Sequence, residues 1–117
     1  MSRRLSSSIA PALGALLFAG CQSNLTSSAP PVTASFLRAS AHTKSDVRIL
    51  SEGRALFLNR CIQCHALPEV AGFNAARLRA IVATMSGRAN LSPEQHDAVL
   101  KYVLAVRAQP QPLTHSD

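Results

Sequence analysis

Tryptophan is absent, tyrosine occurs once, and aromatic residues make up only 4% of the 117 residues. Acidic residues are few as well: six Asp and Glu stand against twelve Lys and Arg. The basic residues form no cluster interleaved with aromatics, so the composition does not argue for nucleic-acid binding. At 15% charged residues the chain is too poor in Glu and Lys for a coiled coil, and it has no collagen-like repeat. Its length excludes a multidomain enzyme, since single domains usually run to about 100–150 residues. No segment alternates polar and apolar residues as a half-buried strand would, and no internal repeat is visible. What remains is one small all-α domain. Cysteine is also scarce, but three is an odd number, and each thiol of an exported chain needs a use.

Export is read from residues 1–20, MSRRLSSSIAPALGALLFAG. Arg3 and Arg4 make a basic start, and Ile9 to Ala19 form an apolar stretch shorter than the ~20 residues a spanning helix requires. The stretch ends Leu17-Phe18-Ala19-Gly20-Cys21, which resembles a bacterial lipobox. The resemblance implies that Cys21 is lipidated and becomes the mature N-terminus, with an ordinary signal peptide as the plainer alternative. Gln22 after it lacks the aspartate associated with inner-membrane retention, which points by analogy to the outer membrane. The expected place is the periplasm, lipid-anchored to a bacterial membrane.

Residues 21–45 are rich in Ser, Thr, Ala and Pro without apolar periodicity, and read as a flexible tether. The compact domain is expected over 46–108, as three helices. The first runs from about Asp46 to Asn59, capped by Asp46, with Val47, Leu50, Leu56 and Phe57 on one side. The second runs from about Asn74 to Thr84 and carries Leu78, Ile81 and Val82 at helical spacing. The third opens on Ser92-Pro93-Glu94-Gln95, a capping-box arrangement, and continues with Val99, Tyr102, Val103 and Val106 as its apolar stripe. Gln109-Pro110-Gln111-Pro112 ends it, leaving 109–117 as a disordered tail. Three helices of this size bury little by themselves, so something else is expected to fill the centre.

Cys61-Ile62-Gln63-Cys64-His65 is C-x-x-C-H, the attachment signature of a c-type haem. Two cysteines three apart at a helix end reach two vinyl groups along one side of a porphyrin, and the next residue presents an imidazole beneath the iron. Other readings of the pentapeptide fit less of it. A thioredoxin-like dithiol expects a βαβ setting. A zinc site needs further ligands at matched spacing. A structural disulfide gives His65 no role.

With these residues the chain resembles the small monohaem class I cytochromes c. Gly53, Phe57 and Cys61, four apart, fit that family's first helix, and Val99 and Tyr102 fit its last, where the glycine permits close approach. The same three residues, Gly53, Phe57 and Tyr102, are equally explained by helix packing alone. The resemblance implies a cytochrome c-like fold of three helices around one covalently attached haem c. It implies His65 as one axial ligand, its other ring nitrogen held by a backbone carbonyl, with Pro68 as the match. Met85, the only methionine beyond Met1, is the implied second ligand, placed just after the second helix and before Ser86-Gly87. Among the histidines, His42 falls in the tether and His115 in the tail, leaving His96 as the rival. Arg77, Arg79 and Arg88 are the arginines nearest Met85, with Arg88 the foremost candidate for a propionate.

Two filled axial positions imply outer-sphere electron transfer rather than catalysis. The expected function is thus an electron shuttle, not an enzyme, with a redox donor and acceptor as partners and the membrane reached through the lipid. A haem subunit or module of a larger periplasmic dehydrogenase and a haem-based sensor with a labile Met85 are the alternatives.

Overall fold

A computed structural model describes residues 28–43 and 45–110. The signal segment 1–20, the lipobox Cys21 and the tail residue His115 lie outside the described residues. Within them the fold is all-α, with helices α1 (Ala34–Ala39), α2 (Val47–Arg60), α3 (Ala75–Arg88) and α4 (Pro93–Arg107), and no strand. Single 3₁₀ turns occupy Ala41–Thr43, Cys61–Gln63 and Val70–Gly72.

The three long helices start where polar side chains satisfy the first free amides. Asp46 accepts from the Arg48 amide at 2.6 Å, and Asn74 accepts from that of Arg77 at 2.8 Å. At α4 the capping box is complete: Ser92 Oγ accepts from the Gln95 amide at 3.2 Å, and Gln95 Oε1 accepts from the Ser92 amide at 3.0 Å.

Helices α2 and α3 each pack mainly on α4 rather than on one another. The closest approach is at Gly53, where an added methyl would collide with the Ala98 carbonyl and lie 2.8 Å from Tyr102 Cβ. Leu50, Phe57, Leu78, Val82, Val99, Tyr102, Val103 and Val106 form the buried centre, so the stripe expected on α4 is the observed one. Val47 is different. It lies 49% exposed at the start of α2, on the outer side of its first turn.

Two expectations are corrected. Helix α3 does not stop at Thr84 but continues through Met85, Ser86 and Gly87 to Arg88. The terminator is Asn90, the non-glycine residue with positive φ (52°). Around it the Asn90 amide donates to the Gly87 carbonyl at 3.3 Å and the Leu91 amide to that of Ser86 at 3.0 Å. This is the Schellman arrangement, which an asparagine in the left-handed region completes in place of glycine.

The second correction concerns 21–45. Over its described part this segment is not a free tether but a clasp against α2 and α4. Thr33 caps α1, Ala29 is fully buried, and Phe36 is 3% exposed. Pro30 O accepts from Tyr102 Oη at 2.8 Å and, with Ala29 O, from Arg54 Nε at 3.2 Å. Ser40 is buried with Oγ donating to the Phe36 carbonyl at 2.8 Å. The other end of the domain joins in, because Gln109 Nε2 donates to the same carbonyl at 3.2 Å. The packed unit therefore reaches back at least to Ala29 rather than only to Asp46, and it includes Gln109. A few apolar side chains and a handful of side-chain bonds to its carbonyls suffice to hold a segment whose composition reads as solvated.

Candidate functional site

Helix α2 ends at Arg60 and its backbone tightens into the 3₁₀ turn Cys61–Gln63, with Cys64 still in helical conformation. In a 3₁₀ turn side chains three apart eclipse, so Cys61 and Cys64 line up along one edge. They are not bonded to each other. Burial pushes the Cys61 thiol above its ordinary pKa, the reverse of the depressed value that activates a redox dithiol. His65 follows, exposed, with Nδ1 2.7 Å from the Ala66 carbonyl. That contact favours the Nδ1–H tautomer and leaves Nε2 as the free lone pair. The carbonyl comes from Ala66, the next residue, and not from Pro68.

Met85 stands half-buried in the last turn of α3 rather than in a loop beyond it. Its position comes from helical register, one residue before the buried Ser86 and three after the buried Val82.

These four side chains share one cavity of about 510 Å³, bounded by the end of α2, the second half of α3 and the middle of α4. The volume lies within the range of small-molecule and cofactor sites. Its walls are chiefly apolar, with Phe57 from α2, Ile81 and Val82 from α3, and Val99 from α4. Pro68 and Phe73 close it from the connecting segment. Its charged lining is cationic: Arg60 and Arg88 reach it and, among the described residues, no carboxylate does. The shape of the chemistry is an apolar body with anionic ends, two thiols along one edge, an imidazole and a thioether. That is the donor set a covalently attached haem would use, and the residues present fit the group. Among the described residues no three of His, Cys, Asp and Glu converge on a common point. C-x-x-C-H haem attachment asks for no such convergence, since its thiols meet carbon and only its histidine meets iron.

The rival histidines are elsewhere. His42 is exposed on the turn of the clasp and His96 sits in the first turn of α4; neither belongs to the cavity wall. Of the three arginines singled out, Arg88 lines the cavity, while Arg77 and Arg79 are exposed outside it. Sequence reasoning missed Arg60, Phe73, Asn90 and Leu91 as wall residues. Arg60 directly precedes the first cysteine, and that adjacency was a usable signal.

Compared with protein-family models, with curated proteins and with solved structures, the chain matches none of them.

Proposed function

We propose that this protein is a small c-type haem protein with a cytochrome c-like arrangement of α2, α3 and α4, and that it passes single electrons between redox partners. The observation that carries this reading is the meeting of Cys61, Cys64, His65 and Met85 in the wall of one apolar cavity with a cationic rim. Cys61 and Cys64 would hold the group through two thioethers from the edge of their turn. His65 offers Nε2 from one side and Met85 its sulfur from α3. Arg88 would supply donors for the carboxylates of the group, and Arg60 adds positive charge to the same lining. Phe57, Val82 and Val99 keep water from its face. Bound there, a haem supplies a one-electron iron couple, which histidine–methionine ligation sets higher than bis-histidine ligation would. With His65 and Met85 both holding the group, no position would be left for a substrate, and the protein would carry electrons rather than act as an enzyme. The lipid on Cys21 belongs to the same reading. It holds the domain in the periplasm at a bacterial membrane, the outer one by the residue at position 22, where a donor and an acceptor exchange electrons with it.

The test is the visible absorption spectrum of protein exported together with a c-type maturation system, recorded oxidised and then reduced. The expected result is a sharp c-type spectrum on reduction and the weak far-red band of ferric methionine ligation. A c-type spectrum without that band, with carbon monoxide binding to the reduced protein, turns the reading to a sensor with an open or labile sixth site. The absence of any haem spectrum overturns it.

A further inference from the structure

The cavity lies between two helix ends that scarcely touch. Helices α2 and α3 are held in place by α4, and the motif cysteines and His65 follow the C-terminus of one while Met85 occupies the last turn of the other. A side chain does cross between these ends. Arg60 Nη2 donates to the Ala89 carbonyl at 2.7 Å. Ala89 caps α3, and its carbonyl is among those that a helix end leaves without an intrahelical donor. A guanidinium placed there also meets the negative end of the helix dipole. The bond therefore ties the residue before Cys61 to the residue four beyond Met85.

We infer that Arg60 is a positioning residue, which sets the separation between the His65 side and the Met85 side of the cavity by clamping the C-terminus of α3. This inference rests on the haem reading above and adds to it a residue that meets neither iron nor thioether. With the clamp in place, Met85 is presented at one fixed distance from His65. Without it, the last turn of α3 is restrained only by its own Schellman bonds and by α4, and the methionine yields more readily to an outside ligand. The hydrogen bond lies toward the surface, so its removal is expected to act modestly on stability and more visibly on ligation.

The experiment compares full-length wild type, Arg60→Met, Arg60→Lys and, as a control for loss of one cation, Arg48→Met. Arg48 is exposed in the first turn of α2, away from the cavity. Each matured protein is titrated with imidazole while the ferric far-red band is followed. Loss of one net hydrogen bond predicts that Arg60→Met binds imidazole roughly threefold to tenfold more tightly. Arg60→Lys should restore part of the difference and Arg48→Met should match wild type. Equal imidazole affinity in wild type and Arg60→Met overturns the inference while leaving the haem reading intact. So does an equal gain in Arg48→Met, which would make the effect one of charge alone. If Arg60→Met does not mature, Arg60→Lys decides: its single ammonium cannot reproduce the guanidinium fork, so an affinity about twofold or more above wild type is expected, and one equal to or below wild type overturns the clamp. A wild type without haem removes both readings together.

Discussion

Tyr102, the one tyrosine in the chain, is fully buried with its ring against two others. Phe36 stacks on it at 6.0 Å and 18°, and Phe57 leans against it at 6.0 Å and 53°. Its hydroxyl donates to Pro30 O at 2.8 Å. Burial pushes the phenol's pKa above its ordinary value of about 10, although Arg54 nearby pulls the other way. A raised folded-state pKa means that the unfolded chain loses this proton first as pH rises. The stabilisation is therefore whole below about pH 10 and declines above it. Tyr102→Phe should cost about 1 kcal/mol at neutral pH, from the lost bond to Pro30. It should also flatten the alkaline decline, so that denaturation curves of wild type and variant draw together between about pH 10 and 11. Curves that stay parallel through that range would contradict the assignment. Tyr102 and Gly53 were legible in the sequence as packing residues because helical periodicity places them. The partners Phe36 and Pro30 were not, since a contact across more than 60 positions leaves no local pattern. The site shows the same division: Cys61, Cys64, His65 and Met85 could be named from motif and scarcity, whereas the carbonyl that meets His65 depended on how the chain turns next.

At the scale of elements, start signals were easier to read than stop signals. Asp46, Asn74 and Ser92 each cap a helix because a short polar side chain beside a free amide has a local reason to be there. The end of α3 was misread, because Ser86-Gly87 looks like a breaker and Asn90 does not. Gly87 is in fact an ordinary helical residue with open space around its Cα. The left-handed residue is Asn90, at φ 52°. This decides the register of Met85, which lies inside the helix and has the stiffness of a helical residue. Asn90→Ala should destabilise the domain by about 1 kcal/mol, since only glycine and, less freely, asparagine or aspartate visit that region cheaply. Asn90→Gly should be neutral or better by a few tenths, because the relief of strain offsets the entropy gained by the unfolded chain. Thermal unfolding of the pair measures both. An Ala variant as stable as wild type would mean that Leu91 and the Ser86 carbonyl hold the turn without it.

At the scale of the whole molecule, three helices and a cavity leave too little to bury, and the clasp supplies what is missing. Small domains bury a modest share of their surface, and this one spends part of its centre on a hollow of about 510 Å³. Residues 29–40 add Ala29, Phe36 and Ser40 to the buried interior, with Phe36 against the same Tyr102 ring that meets Phe57 of the cavity wall. Composition hid this, because a six-residue helix in a stretch rich in Ser, Thr and Pro has no room to show a period. Phe36→Ala removes the ring that Tyr102 stacks on and should destabilise the domain by about 3 kcal/mol, the lower end for a buried phenylalanine. The consequence is local before it is global, since segments with few contacts open first. Arg38 lies inside α1 and is exposed, so trypsin reports directly on whether that helix is held. In wild type the bond after Arg38 should resist cleavage under native conditions, and in Phe36→Ala it should be cut early while α2 to α4 remain intact. Rapid cutting after Arg38 in both proteins would return the segment to a free tether and set the start of the domain back at Asp46. On the proposed reading, protection in wild type alone would leave at most eight residues between a lipid on Cys21 and Ala29, a span of at most about 28 Å. The cavity proposed for the haem would then be held near the bilayer rather than free to range from it.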